Sequence, residues 1–144
     1  MGGLGTALNP LRVAIVGSGP SGFHAAEALL QAPIVAEVDV LERLPVPYGL
    51  VRFGVAPDHP KLKSVIQVFE QVAAHDRFRF FGNVALGRDV SATELAAHYH
   101  AVIVATGASA DRKLGIPGEH LAGVHAASRR RARMSRSPIH CERW

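Results

Sequence analysis

Residues 12–16, RVAIV, form a short apolar, β-branched run that ends in Gly17-Ser18-Gly19-Pro20-Ser21-Gly22, and the following FHAAEALL spaces its apolar residues as a helix does. Strand, glycine turn and helix in that order suit a parallel crossover, and the G-x-G-x-x-G spacing gives each glycine a mechanical task. Gly17 permits the tight turn, Gly19 lets a pyrophosphate approach the backbone, and Gly22 lets the helix pack close to the strand. Pro20 and Ser21 lie at the helix amino terminus, where free amides and the positive end of the helix dipole face an anion. Glu42 follows twenty residues after Gly22, at the end of the alternating run EVDVLE. A carboxylate in that place accepts hydrogen bonds from ribose hydroxyls and repels a 2′-phosphate. The pattern points to a dinucleotide and fits FAD and NAD alike; the competing reading is a structural glycine turn with Glu42 on the surface.

Farther on, Leu62, Val65, Ile66, Phe69, Val72 and Ala73 recur at three and four, which predicts a helix over residues 61–75 with one buried face. FRFFGNVAL, residues 78–86, reads as one or two strands with a bend at Gly82-Asn83. Ser91-Ala92-Thr93-Glu94 has capping-box spacing and starts a short helix that runs to Tyr99. AVIVA, residues 101–105, suits a strand buried on both faces of a parallel sheet, and Thr106-Gly107 ends it. Alternating strands and helices predict an α/β fold with a doubly wound, mostly parallel sheet. The first strand then lies near the centre, and a ligand lies beyond the carboxyl ends of the strands.

The segment 44–63, LPVPYGLVRFGVAPDHPKLK, contains four prolines, two glycines and an apolar centre. Proline fixes φ and glycine permits φ above zero, so it reads as a shaped loop that covers something flat and apolar.

The 144 residues suffice for one domain, and 48% hydrophobic with 19% charged residues is an ordinary globular balance. The net charge of +4 divides unevenly: residues 128–144 hold six arginines and one glutamate, net +5, which leaves −1 for residues 1–127. Arginines clustered over 129–136 could bind phosphate backbones or acidic membranes, but no aromatic residues are interleaved with them, so the tail reads as basic, solvated and disordered, with no nucleic-acid partner. No apolar run spans a membrane, and the single cysteine, Cys141, agrees with a reducing compartment and cytoplasmic residence. MGGLGT matches a short myristoylation pattern and reads instead as a flexible leader over residues 1–10. The histidines lack ligand spacing, so no metal site is expected.

Ala105-Thr106-Gly107 at the end of AVIVA resembles the segment that passes the flavin in two-dinucleotide-binding flavoproteins, and this likeness selects FAD. VPYGLVRFGVAPDHPKLKSV, with GSGPSGFHAAEALL, FFGNVALGRDV, HAVIVATGA and LGIPGEHLAGVHAA, strongly resembles the ferredoxin–NADP reductases of the adrenodoxin-reductase type. The resemblance implies a Rossmann-like FAD-binding domain whose 44–63 loop lies against the flavin, and electron transfer from NADPH through FAD to a ferredoxin-type iron–sulfur protein. It also implies Ser21 over the pyrophosphate, Glu42 on the adenosine ribose, Leu50 touching the cofactor through its backbone, and Leu86 facing adenine. Arg52 either reaches a phosphate or pairs on the surface; His59 either lies near flavin and nicotinamide or fixes the loop. The likeness ends near Ala127, where a family continuation gives way to SRRRARMSRSPIHCERW. The expectation is therefore a partial FAD-binding domain over residues 11–127, with the NADP domain absent and the chain truncated or frame-disrupted. Other readings are a non-catalytic fragment and a basic-tailed phosphate-binding module.

Overall fold

A computed structural model describes residues 3–53, 61–108 and 112–125. His59 and the basic tail lie outside the described residues. The strands are β1 (Leu11–Val16), β2 (Ala36–Glu42), β3 (Phe78–Gly82) and β4 (Ala101–Val104); the helices are α1 (Pro20–Gln31), α2 (Gly49–Phe53), α3 (Lys61–Ala73) and α4 (Ala92–His98). The sheet order is β3-β2-β1-β4 and every pairing is parallel. β1 occupies an inner position, as the crossover rule requires.

Side chains alternate across the pleat, so the two faces of β1 build two cores. Val13 and Ile15 join Val38, Val40 and Phe78 beneath α1 and α3, which contribute Phe23, Ala26, Leu30, Phe69 and Val72. Phe23 and Phe69 stack at 4.8 Å between centroids, and Tyr48 closes on Phe23 at 5.1 Å. On the opposite face Ala14, Val16 and Leu41 pack under Leu95 of α4, which makes the sheet doubly wound. α4 begins as its sequence dictates: Ser91 Oγ accepts from the Glu94 amide at 3.1 Å, while the Glu94 carboxylate accepts from the Ser91 amide at 2.8 Å.

Two local expectations are corrected and one is narrowed. The 44–63 segment is not loop throughout: residues 49–53 wind into α2, and α3 starts at Lys61. The FRFFGNVAL stretch yields one strand, because Asn83 at φ 61° turns the chain after Gly82 and Leu86 makes only an isolated bridge to Val90. Among the described residues β4 is an edge strand and is not buried on both faces; Val104 is 64% exposed. Its uncharged β-branched composition reports the half-covered faces of a parallel strand and cannot report whether a further strand lies beside it.

The second face also hides a carboxylate. Asp39 is 2% exposed, and Arg79 grips it with two bonds of 2.6 and 2.9 Å while the Tyr99 hydroxyl donates at 2.7 Å. The burial of Asp39 is compensated by those three donors. Partial burial, and then the bond to Asp39, pushes the Tyr99 phenol up to about 12.

Candidate functional site

The chain runs from β1 through α1 to β2 and through α3 to β3 on one side of β1, then crosses to β4 on the other side. The strand order therefore reverses between β1 and β4, and their carboxyl ends open the crevice where doubly wound sheets take ligands. Gly17, at φ 108°, leaves β1 at this point, and a Cβ there would strike the Ala105 carbonyl and lie 3.0 Å from Thr106 Cα. The glycine turn and the Ala105-Thr106-Gly107 end of β4 thus share one crevice; Thr106 and Gly107 are exposed in it.

Gly22 is buried on α1, and a Cβ there would collide with the Gly17 carbonyl. Helix and strand approach so closely that only hydrogen fits. At Gly19 an added Cβ would meet nothing within 4 Å, so the backbone borders open space. Gly19 caps α1 without a side-chain hydrogen bond, Pro20 occupies the first turn, and Ser21 is exposed beside it. The leading amides of a twelve-residue helix are left for an outside acceptor.

Glu42, 9% exposed, sits at the end of β2 facing the turn. Its Oε2 accepts from the Ser18 amide at 2.9 Å and from the Ser18 hydroxyl at 2.8 Å, while Oε1 accepts from the Leu44 amide at 3.2 Å. Ser18, fully buried, went unremarked in the sequence because it fills an x position of the glycine pattern; a hydroxyl there twenty-four residues before a motif carboxylate was the available signal. Beyond Glu42 the strand end meets the bend after β3, with the Val84 amide donating to the Glu42 carbonyl at 2.9 Å. Leu86 packs against the Ala14–Val16–Leu41–Leu95 cluster on the second face.

The proline-framed segment docks on the same turn. The Tyr48 amide donates to the Ser18 carbonyl at 3.0 Å, and Gly49 lies so near Gly19 that a Cβ on it would be 3.0 Å from Gly19 Cα. Tyr48 holds φ 82° and Gly49 φ 43°, a left-handed pair that turns the chain into α2. Burial of the Tyr48 ring, and then the charge of Glu70, push its phenol up. Leu50 is half exposed on α2. Arg52 Nε donates to the Pro47 carbonyl at 3.1 Å and its guanidinium lies 5.2 Å from the Tyr48 ring centroid, so here it braces the segment. The structure brings Gly17, Gly19, Pro20, Ser21, Gly22, Glu42, Ala105, Thr106 and Gly107 to one end of the sheet and seats the 44–53 segment, with Leu50 and Arg52, on the glycine turn. The residues present fit a dinucleotide: an open backbone approach at Gly19, uncapped helix amides, and a buried carboxylate beside them.

Among the described residues no helix is long and apolar enough to cross a membrane. Residues 11–140 match the family described as pyridine nucleotide-disulphide oxidoreductase. The chain is 55% identical over 118 residues to NADPH:adrenodoxin oxidoreductase, mitochondrial, of Arabidopsis thaliana, covering 82% of this chain and 24% of that protein. It is 57% identical over 120 residues to NADPH-ferredoxin reductase FprA of Mycobacterium leprae, covering 80% and 26%. The solved structure of Mycobacterium tuberculosis FprA in complex with NADPH superimposes with a TM-score of 0.81 at 50% identity, covering 93% of this chain and 31% of that one. The chain therefore spans about a quarter of the length of the curated relatives it matches. With the parallel sheet, the glycine turn at its switch point and a family match over residues 11–140, this chain belongs to the pyridine nucleotide-disulphide oxidoreductase family.

Proposed function

We propose that this chain forms the FAD-binding part of a reductase that moves electrons from NADPH to a ferredoxin- or adrenodoxin-type iron–sulfur protein. The observation that carries the reading is the meeting, at one switch point, of an open Gly19 approach, the buried Glu42 and a proline-framed segment seated on the same turn. Bound FAD would supply hydride acceptance from a nicotinamide and one-electron delivery, chemistry that belongs to the cofactor. The residues of the chain bind and orient. Gly17, Gly19, Pro20, Ser21 and Gly22 take the pyrophosphate, Glu42 the adenosine ribose, and Ala105, Thr106 and Gly107 line the crevice beside it. Leu50 and Arg52 serve the segment that shields the flavin, Leu86 the adenine end, and His59 the nicotinamide side.

The names of the relatives support both NADPH as donor and an iron–sulfur acceptor. The family resemblance puts NADP(H) on a domain outside residues 11–127, so the purified 144-residue chain is expected to bind FAD without reducing an acceptor from NADPH. Residues 11–127 then act as a partial FAD domain, residues 1–10 as a leader and 128–144 as a basic segment, and the lone Cys141 supports a cytoplasmic setting. The test is the absorbance spectrum of the chain after incubation with FAD and removal of unbound cofactor. Flavin bands near one equivalent are expected; a colourless protein that is folded by circular dichroism overturns the assignment.

A further inference from the structure

Ser18 joins three parts of the site. Its amide and hydroxyl both donate to Glu42 Oε2, at 2.9 and 2.8 Å, and its carbonyl accepts from the Tyr48 amide at 3.0 Å. The side chain is fully buried, so no water competes for the hydroxyl. A carboxylate has about four lone-pair directions. Oε2 has both of its own engaged by Ser18, and Oε1 has one engaged by the Leu44 amide at 3.2 Å, which leaves one on Oε1.

We propose that Ser18 is a positioning residue for the adenosine half of the dinucleotide, clamping Glu42 through Oε2 so that the remaining acceptor direction on Oε1 meets a ribose hydroxyl. The inference rests on the dinucleotide reading above. Without the hydroxyl the carboxylate keeps only amide partners, one on each oxygen, and its rotation about the terminal torsion is broad. The cost then falls on the ligand, which must order Glu42 as it binds. The same clamp sets specificity: a carboxylate held in one place repels a 2′-phosphate, whereas a released one swings aside.

The test titrates FAD into the full 144-residue chain by flavin fluorescence, for the wild type, Ser18→Ala, Glu42→Ala and the double variant. Ser18→Ala is expected to weaken FAD about tenfold and to have no further effect in the Glu42→Ala background. An unchanged affinity in Ser18→Ala, or an equal loss with Glu42 already removed, overturns the clamp while leaving the FAD assignment intact. A folded wild type that binds no FAD overturns both. Should Glu42→Ala fail to fold, Ser18→Ala alone decides through competition by ADP and by its 2′-phosphorylated form. The preference for ADP is expected to narrow about threefold or more as Glu42 is released; a merely looser fold weakens both competitors alike, and an unchanged ratio overturns the proposal.

Discussion

At Gly22 a hydrogen atom is all that the contact between α1 and the Gly17 carbonyl leaves room for, whereas at Gly19 a methyl group would stand in open space. The two glycines of one motif therefore answer differently to the same substitution. Gly22→Ala overpacks the turn and should cost about 3 kcal/mol in urea unfolding, with FAD binding lost as the helix shifts. Gly19→Ala should change stability by no more than about 1 kcal/mol, because Gly19 already holds an ordinary φ of −76°. It should still reduce FAD affinity at least about tenfold, since the methyl group occupies the pyrophosphate's approach. Equal flavin retention by Gly19→Ala and the wild type would place the dinucleotide elsewhere. Tyr99 gives a pH signature. Folding raises its phenol to about 12 from an ordinary 10, so its contribution is whole below pH 10 and lost as pH rises through 10 to about 12. Thermal midpoints should fall over that window in the wild type and fall less in Tyr99→Phe. The motif glycines and Glu42 were legible because glycine and a spaced carboxylate carry their mechanics in their identity. Ser18 and the Asp39–Arg79–Tyr99 network were not, because their partners lie 24, 40 and 60 residues away in the chain.

Helices α3 and α4 show opposite sources of helical order. α4 is seven residues long, too short to persist by propagation alone, and depends on its capping box and on buried Leu95. Ser91→Ala should cost about 1 kcal/mol, read as a lower thermal midpoint. The bonds from Ser91 hold the Glu94 carboxyl below its usual range, so the capping contribution is present above that ordinary value and fades as pH falls through the lowered one. α3 depends on tertiary packing through Phe69, fully buried between Phe23 and Tyr48. Phe69→Ala should cost about 4 kcal/mol. It should also loosen the Tyr48 anchor, making the 44–53 segment more sensitive to proteolysis than α4 is; uniform cleavage across both would contradict that coupling. The period-3.6 pattern of α3 and the cap of α4 were both readable in advance. The α2 turn was not, because prolines and glycines announce a shaped segment without saying which of its residues wind up.

Across the described residues the striped burial of the sheet contrasts with apolar surface left open elsewhere. Leu50, Val104, Leu114, Ile116, Leu121 and Val124 are all more than half exposed. Apolar area of this kind favours association. Static light scattering of the purified chain should show mass rising with concentration, and a dye that reports apolar surface should brighten on it; a monomer unchanged across the concentration range would contradict this. Added FAD should lower the dye signal where the flavin covers the segment bearing Leu50.

The sequence alone determined the order of strands and helices apart from α2, the glycine turn with Glu42 after it, and the α/β class, because hydrophobic period, glycine freedom and cap chemistry act between neighbours in the chain. Tertiary structure alone decided that β4 takes the edge beyond β1, that Gly17 and Ala105 meet across the switch point, that Gly49 seats on Gly19, and that both oxygens of Glu42 accept from protein donors. Those are contacts between distant residues, and whether a strand has a neighbour or a carboxylate a donor depends on how the sheet is closed, a property that no local pattern carries.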